Sequence, residues 1–96
     1  MLKVIKNTDY YQVVTVDDIQ MFTPDDLVNI KLPNDIDHRK GTIINGRMPI
    51  WVFCHISHLC HPSLWVATND PRLGGAVVCQ THTSTKNLGD IIILQD

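Results

Sequence analysis

The hydrophobic and polar positions near the N-terminus follow the pattern of a β-hairpin. Residues 2–6 and 10–16 are rich in β-branched and aromatic side chains, and the polar segment 7–9 between them is typical of a turn. A short helix should follow the hairpin, because Thr23 suits an N-cap and Pro24 suits the first helical position.

The rest of the chain alternates apolar strands with one substantial helix. Residues 42–45 are an apolar run typical of a buried strand, and residues 50–61 predict a helix that Pro62 ends. Three more strands are predicted at 64–68, 76–81 and 91–94, with a tight loop at 69–75 after the first of them. The pattern predicts one small α/β domain, residues 1–96, with a central β-sheet and two helices.

Composition and charge fit a globular domain and exclude several classes of function. Of the 96 residues, 44% are hydrophobic and 19% are charged, and no apolar run approaches the roughly 20 residues that span a bilayer. The net charge of -2 argues against duplex DNA as a partner, because binding there depends on many Lys and Arg contacts to phosphate. The sequence has neither a CxxC pair nor a signal peptide, so we expect a cytoplasmic protein whose three cysteines are small buried apolar residues.

Histidines recur every third residue along the predicted helix. At about 100° per residue, His55, His58 and His61 fall within one arc of its surface, and His82 closes a later strand. Imidazole binds transition metals and exchanges protons near neutral pH, so the cluster indicates a metal site, an acid–base site or both. The alternative is a partly exposed helix face that merely contains histidines.

Two further groups of residues suit phosphate. Asp70 and Arg72 flank a proline, where a guanidinium can hold two phosphate oxygens and the acid can orient a histidine or bind a metal. Loops on either side of strand 42–45 carry three more cations and a glycine that permits close approach of a ligand. These expected substrate-binding residues are Arg39, Lys40, Gly46 and Arg47. Gly46 and Arg47 directly precede a helix N-terminus, where unpaired N–H groups attract anions.

Five segments of the chain together match a known family. They are DHRKG at 37–41, NGRMPIW at 45–51, HLCH at 58–61, NDPRLG at 69–74 and QTH at 80–82. The set resembles the third family of CRISPR-associated ring nucleases, small manganese-dependent proteins of type III systems that were first described as deadenylating ribonucleases. Two departures are Met48, where the family pattern has glycine, and Gly75, an extra residue after the DPRLG segment.

The resemblance implies a fold distantly like the CRISPR-associated Rossmann fold. It also implies an enzyme that degrades cyclic tetra-adenylate and so switches off type III antiviral signalling. Its unit would be a homodimer, with dimers assembled around the ligand and catalytic centres that mix subunits. The residues implied in catalysis are His61, Asp70 and Arg72. Those implied in manganese binding are His58, His61 and His82.

Two other functions stay open for such a sequence. The first is a manganese-dependent 3′ exonuclease that removes adenylate tails from RNA. The second is a non-catalytic sensor that binds the cyclic signal and oligomerises. For a nuclease, the attacking group is either water or the ribose 2′-hydroxyl.

Overall fold

One six-stranded sheet forms the centre of the molecule. A computed structural model describes residues 2–16 and 22–94, and the expected α/β class with two helices is confirmed there. The strands are β1 Leu2–Asn7, β2 Tyr11–Val16, β3 Gly41–Ile44, β4 Trp65–Asp70, β5 Gly75–Thr81 and β6 Ile91–Ile92. The helices are a 3-10 helix, Pro24–Asn29, and an α-helix, α1, Ile50–Leu59.

The strands lie in the sheet in their order along the chain. β2, β3 and β4 are parallel, whereas β1, β5 and β6 each run antiparallel to their neighbours. The two parallel connections carry the 3-10 helix and α1, and residues of both pack against the same hydrophobic cluster. Two right-handed crossovers that step in the same direction place their helices on one face. This parallel unit is consistent with the expected likeness to the Rossmann fold. Within the described ranges, no helix is long and apolar enough to cross a membrane.

Each face of the sheet has its own core because side chains alternate along a strand. On the helical face, Val14 and Ile44 pack with Val52 and Ile56 of α1, and all four are fully buried. On the opposite face, a second cluster gathers around Trp65, which is 3% exposed. Full burial of each aliphatic side chain contributes roughly 1.5–3 kcal/mol, so these clusters hold α1 and the strands together.

The predicted N-terminal hairpin forms, and the predicted tight loop after the fourth strand is shorter than expected. β1 and β2 pair antiparallel as expected. The predicted loop 69–75 is reduced to residues 71–74, because Asp70 pairs with Gly75 as the last rung of the β4–β5 ladder. The Leu73 N–H donates to the Asp70 carbonyl at 3.0 Å, and Gly74 adopts φ +75°, which closes the turn.

Two predicted elements end early. α1 stops at Leu59 rather than at residue 61, since Pro62 disfavours helical geometry in the residue before it. His61 therefore lies in a turn, where its N–H donates to the His58 carbonyl at 3.1 Å. The last strand was predicted at 91–94, but β6 covers only Ile91–Ile92.

The cysteines only partly match the prediction that all are buried. Cys60 is fully buried in the core, and burial raises the pKa of its thiol to about 12. Cys54 and Cys79 are surface-exposed instead, because both face a cleft beside α1. Partial desolvation in that cleft raises the pKa of the Cys79 thiol, so it stays protonated at neutral pH and is a weak nucleophile.

Candidate functional site

The carboxyl ends of the parallel strands gather four of the expected functional residues. β3 and β4 run in the same direction, so the loops that follow them emerge at one edge of the sheet. That edge carries Gly46, Arg47, Asp70 and Arg72, and we call it the arginine end. The Asn69 amide donates to the Asn45 side-chain oxygen at 3.0 Å and ties the two loops together. Open α/β sheets commonly bind ligands at such an edge.

Asp70 fixes the turn on which Arg72 stands. Its carboxylate accepts the Arg72 backbone N–H at 2.9 Å, and the Arg72 Nε lies 3.6 Å from the same oxygen. The Arg72 side chain is nonetheless 92% exposed. The backbone is thereby held while the guanidinium is presented to solvent, which is the arrangement needed to meet an incoming anion.

The opposite edge of the sheet holds a pair of histidines. His82 follows β5 and donates its backbone N–H to the Leu64 carbonyl at 2.9 Å, which keeps it beside the start of β4. The rings of His61 and His82 meet edge to face with centroids 4.9 Å apart. His61 Nδ1 lies 3.0 Å from Gln80 Oε1, and His82 Nε2 lies 3.0 Å from the His61 carbonyl oxygen. We call this edge, with His58, His61, Gln80 and His82, the histidine end.

The three predicted metal ligands are only partly brought together. His61 and His82 adjoin, while the exposed His58 lines the neighbouring cleft one helical turn away. Across residues 2–16 and 22–94, no group of three or more His, Cys, Asp or Glu side chains is placed to hold a metal ion. Among the described residues, the histidine end of one chain therefore offers two adjacent imidazoles as ligands for a metal ion.

A groove beside α1 connects the two ends. Its arginine-end part has a volume of about 500 Å³ and includes Gly46, Asp70 and Arg72 in its walls. Its other part, about 360 Å³, reaches Ser57, His58 and Gln80. Both parts share Phe53 and Thr68, so they form one continuous surface. The first turn of α1 also faces the groove, through Ile50.

Of the predicted catalytic residues, Asp70 and Arg72 line the groove, whereas His61 lies beyond its other end, against Gln80. Asp70 ends β4, whereas His61 and His82 lie beside its first residues. Five steps along a strand at about 3.3 Å each put these groups roughly 16 Å apart. General acid–base transfer needs about 3 Å between heavy atoms. One chain therefore does not bring His61 and Asp70 onto a single reacting bond.

The predicted substrate-binding cations are divided between the ends. Arg47 lies at the arginine end, but Arg39 and Lys40 precede β3 and so lie near the histidine end. Arg39 is paired with Asp37 at 3.1 Å, and this hydrogen-bonded guanidinium lowers the pKa of the carboxyl. Lys40 Nζ donates to the Asn7 side chain and to the Thr8 carbonyl, each at 2.7 Å. Both side chains thus have partners within the chain.

Sequence reasoning missed Gln80 and Ser57 as functional residues. The Gln80 amide nitrogen lies 2.7 Å from Ser57 Oγ and 3.3 Å from the Ser57 carbonyl oxygen, while its oxygen faces His61. Gln80 belongs to the QTH segment, yet a glutamine in a strand gives no signal of its own. Only the structure shows that it contacts both Ser57 of α1 and His61.

Comparisons with known proteins bear on the identity of the chain. Residues 15–93 match the family model described as CRISPR-associated protein (Cas_csx3). An uncharacterized protein of Aquifex aeolicus (strain VF5) is 38% identical over 72 residues, which cover 72% of this chain and 65% of the relative. The match thus spans less than two thirds of that relative's length. Because the family match extends over most of the sequence, the chain belongs to the CRISPR-associated protein family Cas_csx3.

Proposed function

We propose that the protein is a metal-dependent phosphodiesterase that linearises and degrades cyclic tetra-adenylate, and so ends type III CRISPR signalling. The observation that carries the proposal is one groove with the Asp70–Arg72 turn at one end and, at the other, Gln80 in contact with the adjoining rings of His61 and His82. Membership of a CRISPR-associated family supports the biological setting. The cyclic substrate rests on the resemblance of the five sequence segments.

The catalytic centre is proposed to form between copies of the chain. The roughly 16 Å between the two ends is too far for His61 and Arg72 of one chain to act on the same phosphorus. A second copy that places its arginine end against the histidine end of the first would complete the centre. A ring with four phosphates can hold several such contacts at once. A homodimer, with dimers assembled around the ligand, satisfies this requirement.

Each catalytic residue then has a distinct task. Arg72 stabilises the negative charge that develops on the phosphate, because its guanidinium can donate to two phosphate oxygens. Asp70 holds the Arg72 backbone in place through the 2.9 Å contact already described. His61 transfers a proton between the attacking and leaving groups. Contact with a phosphate requires an accessible guanidinium, in keeping with the exposed side chain of Arg72.

Phosphate binding at the arginine end has support from the backbone as well. α1 begins beside Gly46 and has no side-chain cap on its N-terminal N–H groups. Unpaired N–H groups and the positive end of the helix dipole attract anions there. Arg47 and Arg72 add two positive charges. A small ring of four phosphates needs only such local neutralisation, so the overall charge of -2 is no obstacle.

Metal binding is proposed at the histidine end, where the donor chemistry fits in part. His61 and His82 would supply two ligands, with further ligands from the substrate, from His58 or from Asp70 of a second copy. A divalent ion bound there would supply charge neutralisation at the scissile phosphate. Histidine ligands must be unprotonated, so protons compete with the metal and binding should weaken at acid pH.

The test is incubation with cyclic tri-, tetra- and hexa-adenylate and with linear tetra-adenylate, each with manganese and with EDTA. We expect cleavage of the tetra-adenylate ring in manganese and none in EDTA. A product with a cyclic phosphate would identify the ribose hydroxyl as the attacking group, and an open phosphate would identify water. Cleavage of linear substrate alone would favour the exonuclease, and tight binding without product would favour the sensor. Either result would refute the proposal.

A further inference from the structure

Gln80 reaches the helical face of the sheet through an irregularity in β5. Val66 pairs with Gln80, but the next residue of β4, Ala67, pairs with Val78, so Cys79 is an extra residue on β5. Such a β-bulge redirects the side chains that flank it. Val78 packs in the core on the far face, whereas both Cys79 and Gln80 face the groove beside α1. The bulge therefore delivers a glutamine where regular alternation would not.

The contacts of Gln80 determine how its amide is oriented. The Ser57 carbonyl oxygen, 3.3 Å from one end of the amide, only accepts hydrogen bonds. That end must be the NH₂ group, which also donates to Ser57 Oγ at 2.7 Å. The other end, 3.0 Å from His61 Nδ1, is then the carbonyl oxygen.

A carbonyl oxygen beside a ring nitrogen in turn determines the tautomer of the ring. Gln80 Oε1 can only accept, so His61 Nδ1 must carry the proton. In the neutral ring, Nε2 then holds the lone pair. His82 has the reverse arrangement, because its Nε2 faces the His61 carbonyl and must donate to it. The two adjoining rings thus present opposite nitrogens to a ligand.

We infer that Gln80 is a positioning residue that locks His61 in the Nδ1–H tautomer and directs its Nε2 lone pair outwards. Ser57 holds Gln80 in the orientation that this requires. The catalytic value of the arrangement rests on the proposed function, because a lone pair at Nε2 can receive a proton or bind a metal. The tautomer itself does not depend on any activity.

The test is the ¹⁵N NMR spectrum of the His61 ring in metal-free protein at about pH 9, where an ordinary imidazole is neutral. In the wild-type chain, Nδ1 should give a protonated signal and Nε2 an unprotonated one. Gln80→Met removes the acceptor, and we expect a mixture of tautomers. Gln80→Glu keeps an oxygen at this position, and we expect the wild-type tautomer. An unchanged tautomer in Gln80→Met would overturn the inference, whereas loss of the wild-type tautomer in Gln80→Glu would show that donation of the amide to Ser57 is also required, as the inference holds.

Turnover of cyclic tetra-adenylate gives the second readout. Gln80→Met should lower kcat by about 10- to 100-fold with little change in KM, because orienting partners of functional histidines have effects of this size. Gln80→Glu should recover much of the loss. If the tautomer responds as expected but no chain cleaves the ring, the positioning role is supported and the proposed function fails. If cleavage occurs and Gln80→Met leaves the tautomer unchanged, the proposed function is supported and the positioning role fails.

Discussion

The histidine end and the arginine end differ in how their side chains are held. At the histidine end both rings have fixed hydrogen-bond partners, and a chain of buried hydrogen bonds lies below them. That chain runs from Gln12 to Thr42 at 2.9 Å and from Thr42 to Ser63 at 2.8 Å. At the arginine end the backbone of the turn is held by the Asp70 carboxylate, whereas the Arg72 side chain is 92% exposed.

This difference corresponds to the demands of two kinds of chemistry. Proton transfer requires heavy atoms within about 3 Å, so a preorganised ring is an advantage. Charge neutralisation falls off gradually with distance, so a long side chain on a rigid turn can adjust to its phosphate. Under the proposed function, one chain holds two half-sites, each organised for its own task.

The largest expected effect comes from removing one functional group at each end. His61→Ala and Arg72→Ala should each lower cleavage of cyclic tetra-adenylate by at least about 100-fold, because each removes a catalytic interaction. Co-expression of the two variants should restore about a quarter of the wild-type rate if chains combine at random. The measurement is turnover of the purified mixture beside each variant alone.

His55→Ala is the matched control, since that half-buried histidine lies on α1, six residues before His61, and is expected to be a bystander. Its turnover should equal that of the wild-type chain. Absence of any recovery in the co-expressed mixture, with both chains folded and assembled, would contradict a centre shared between copies.

Much of the fold could be predicted because its signals are local. The β-branched runs in β1, β2 and β5 predict strands, and Pro62 predicts that α1 ends shortly before it. The end of β4 could not be read in this way. Asn69 and Asp70 are poor strand formers, and they continue the strand only because Gly75 and its neighbour pair with them.

The candidate site could be predicted as a set of residues but not as an arrangement. Asp70 and His61 were expected to cooperate, yet their positions at opposite ends of β4 follow from strand direction, which no local pattern reports. Gln80 escaped notice because its role depends on the bulge at Cys79 and on contact with Ser57. Such contacts join parts of the chain that are far apart in sequence.

The next largest effect concerns the stability of the sheet beneath the histidine end. A Cβ at Gly41 would overlap the indole ring of Trp65, which is buried on the far face. Gly41→Ala should therefore lower the free energy of unfolding by about 3 kcal/mol, since a packed core tolerates little extra volume. Urea unfolding followed by tryptophan fluorescence measures this loss.

Gly74→Ala at the arginine end is the matched comparison. Gly74 adopts φ +75° with no atom within 4 Å of the position that a Cβ would occupy, so only backbone strain of about 1 kcal/mol applies. An equal or greater loss in Gly74→Ala than in Gly41→Ala would contradict the view that Gly41 lies against a packed core and that Gly74 faces open space.

A smaller effect separates structure from substrate binding at Lys40. Lys40→Met removes two 2.7 Å hydrogen bonds to the β1–β2 turn and should lower stability by about 1 kcal/mol. If these bonds are its main role, KM for cyclic tetra-adenylate should change less than twofold. Arg47→Met should show the opposite pattern, with a higher KM and unchanged thermal stability. A raised KM in Lys40→Met at unchanged stability would instead support the substrate-binding role that the sequence predicts.

The smallest effect is the pH dependence of the Asp37–Arg39 pair. The Arg39 guanidinium lowers the pKa of the Asp37 carboxyl below its ordinary value of 3.8, so the pair stabilises the fold above about pH 4 and the gain is lost as the pH falls through the folded pKa. Asp37→Asn should lower Tm slightly at pH 7, and the difference should vanish once the pH falls below the pKa of Asp37 in the folded chain. The same substitution releases Arg39 from its partner. A lower KM for cyclic tetra-adenylate in Asp37→Asn would therefore show that Arg39, near the histidine end, can bind a phosphate of the ligand. An unchanged KM would indicate that phosphate binds only at the arginine end.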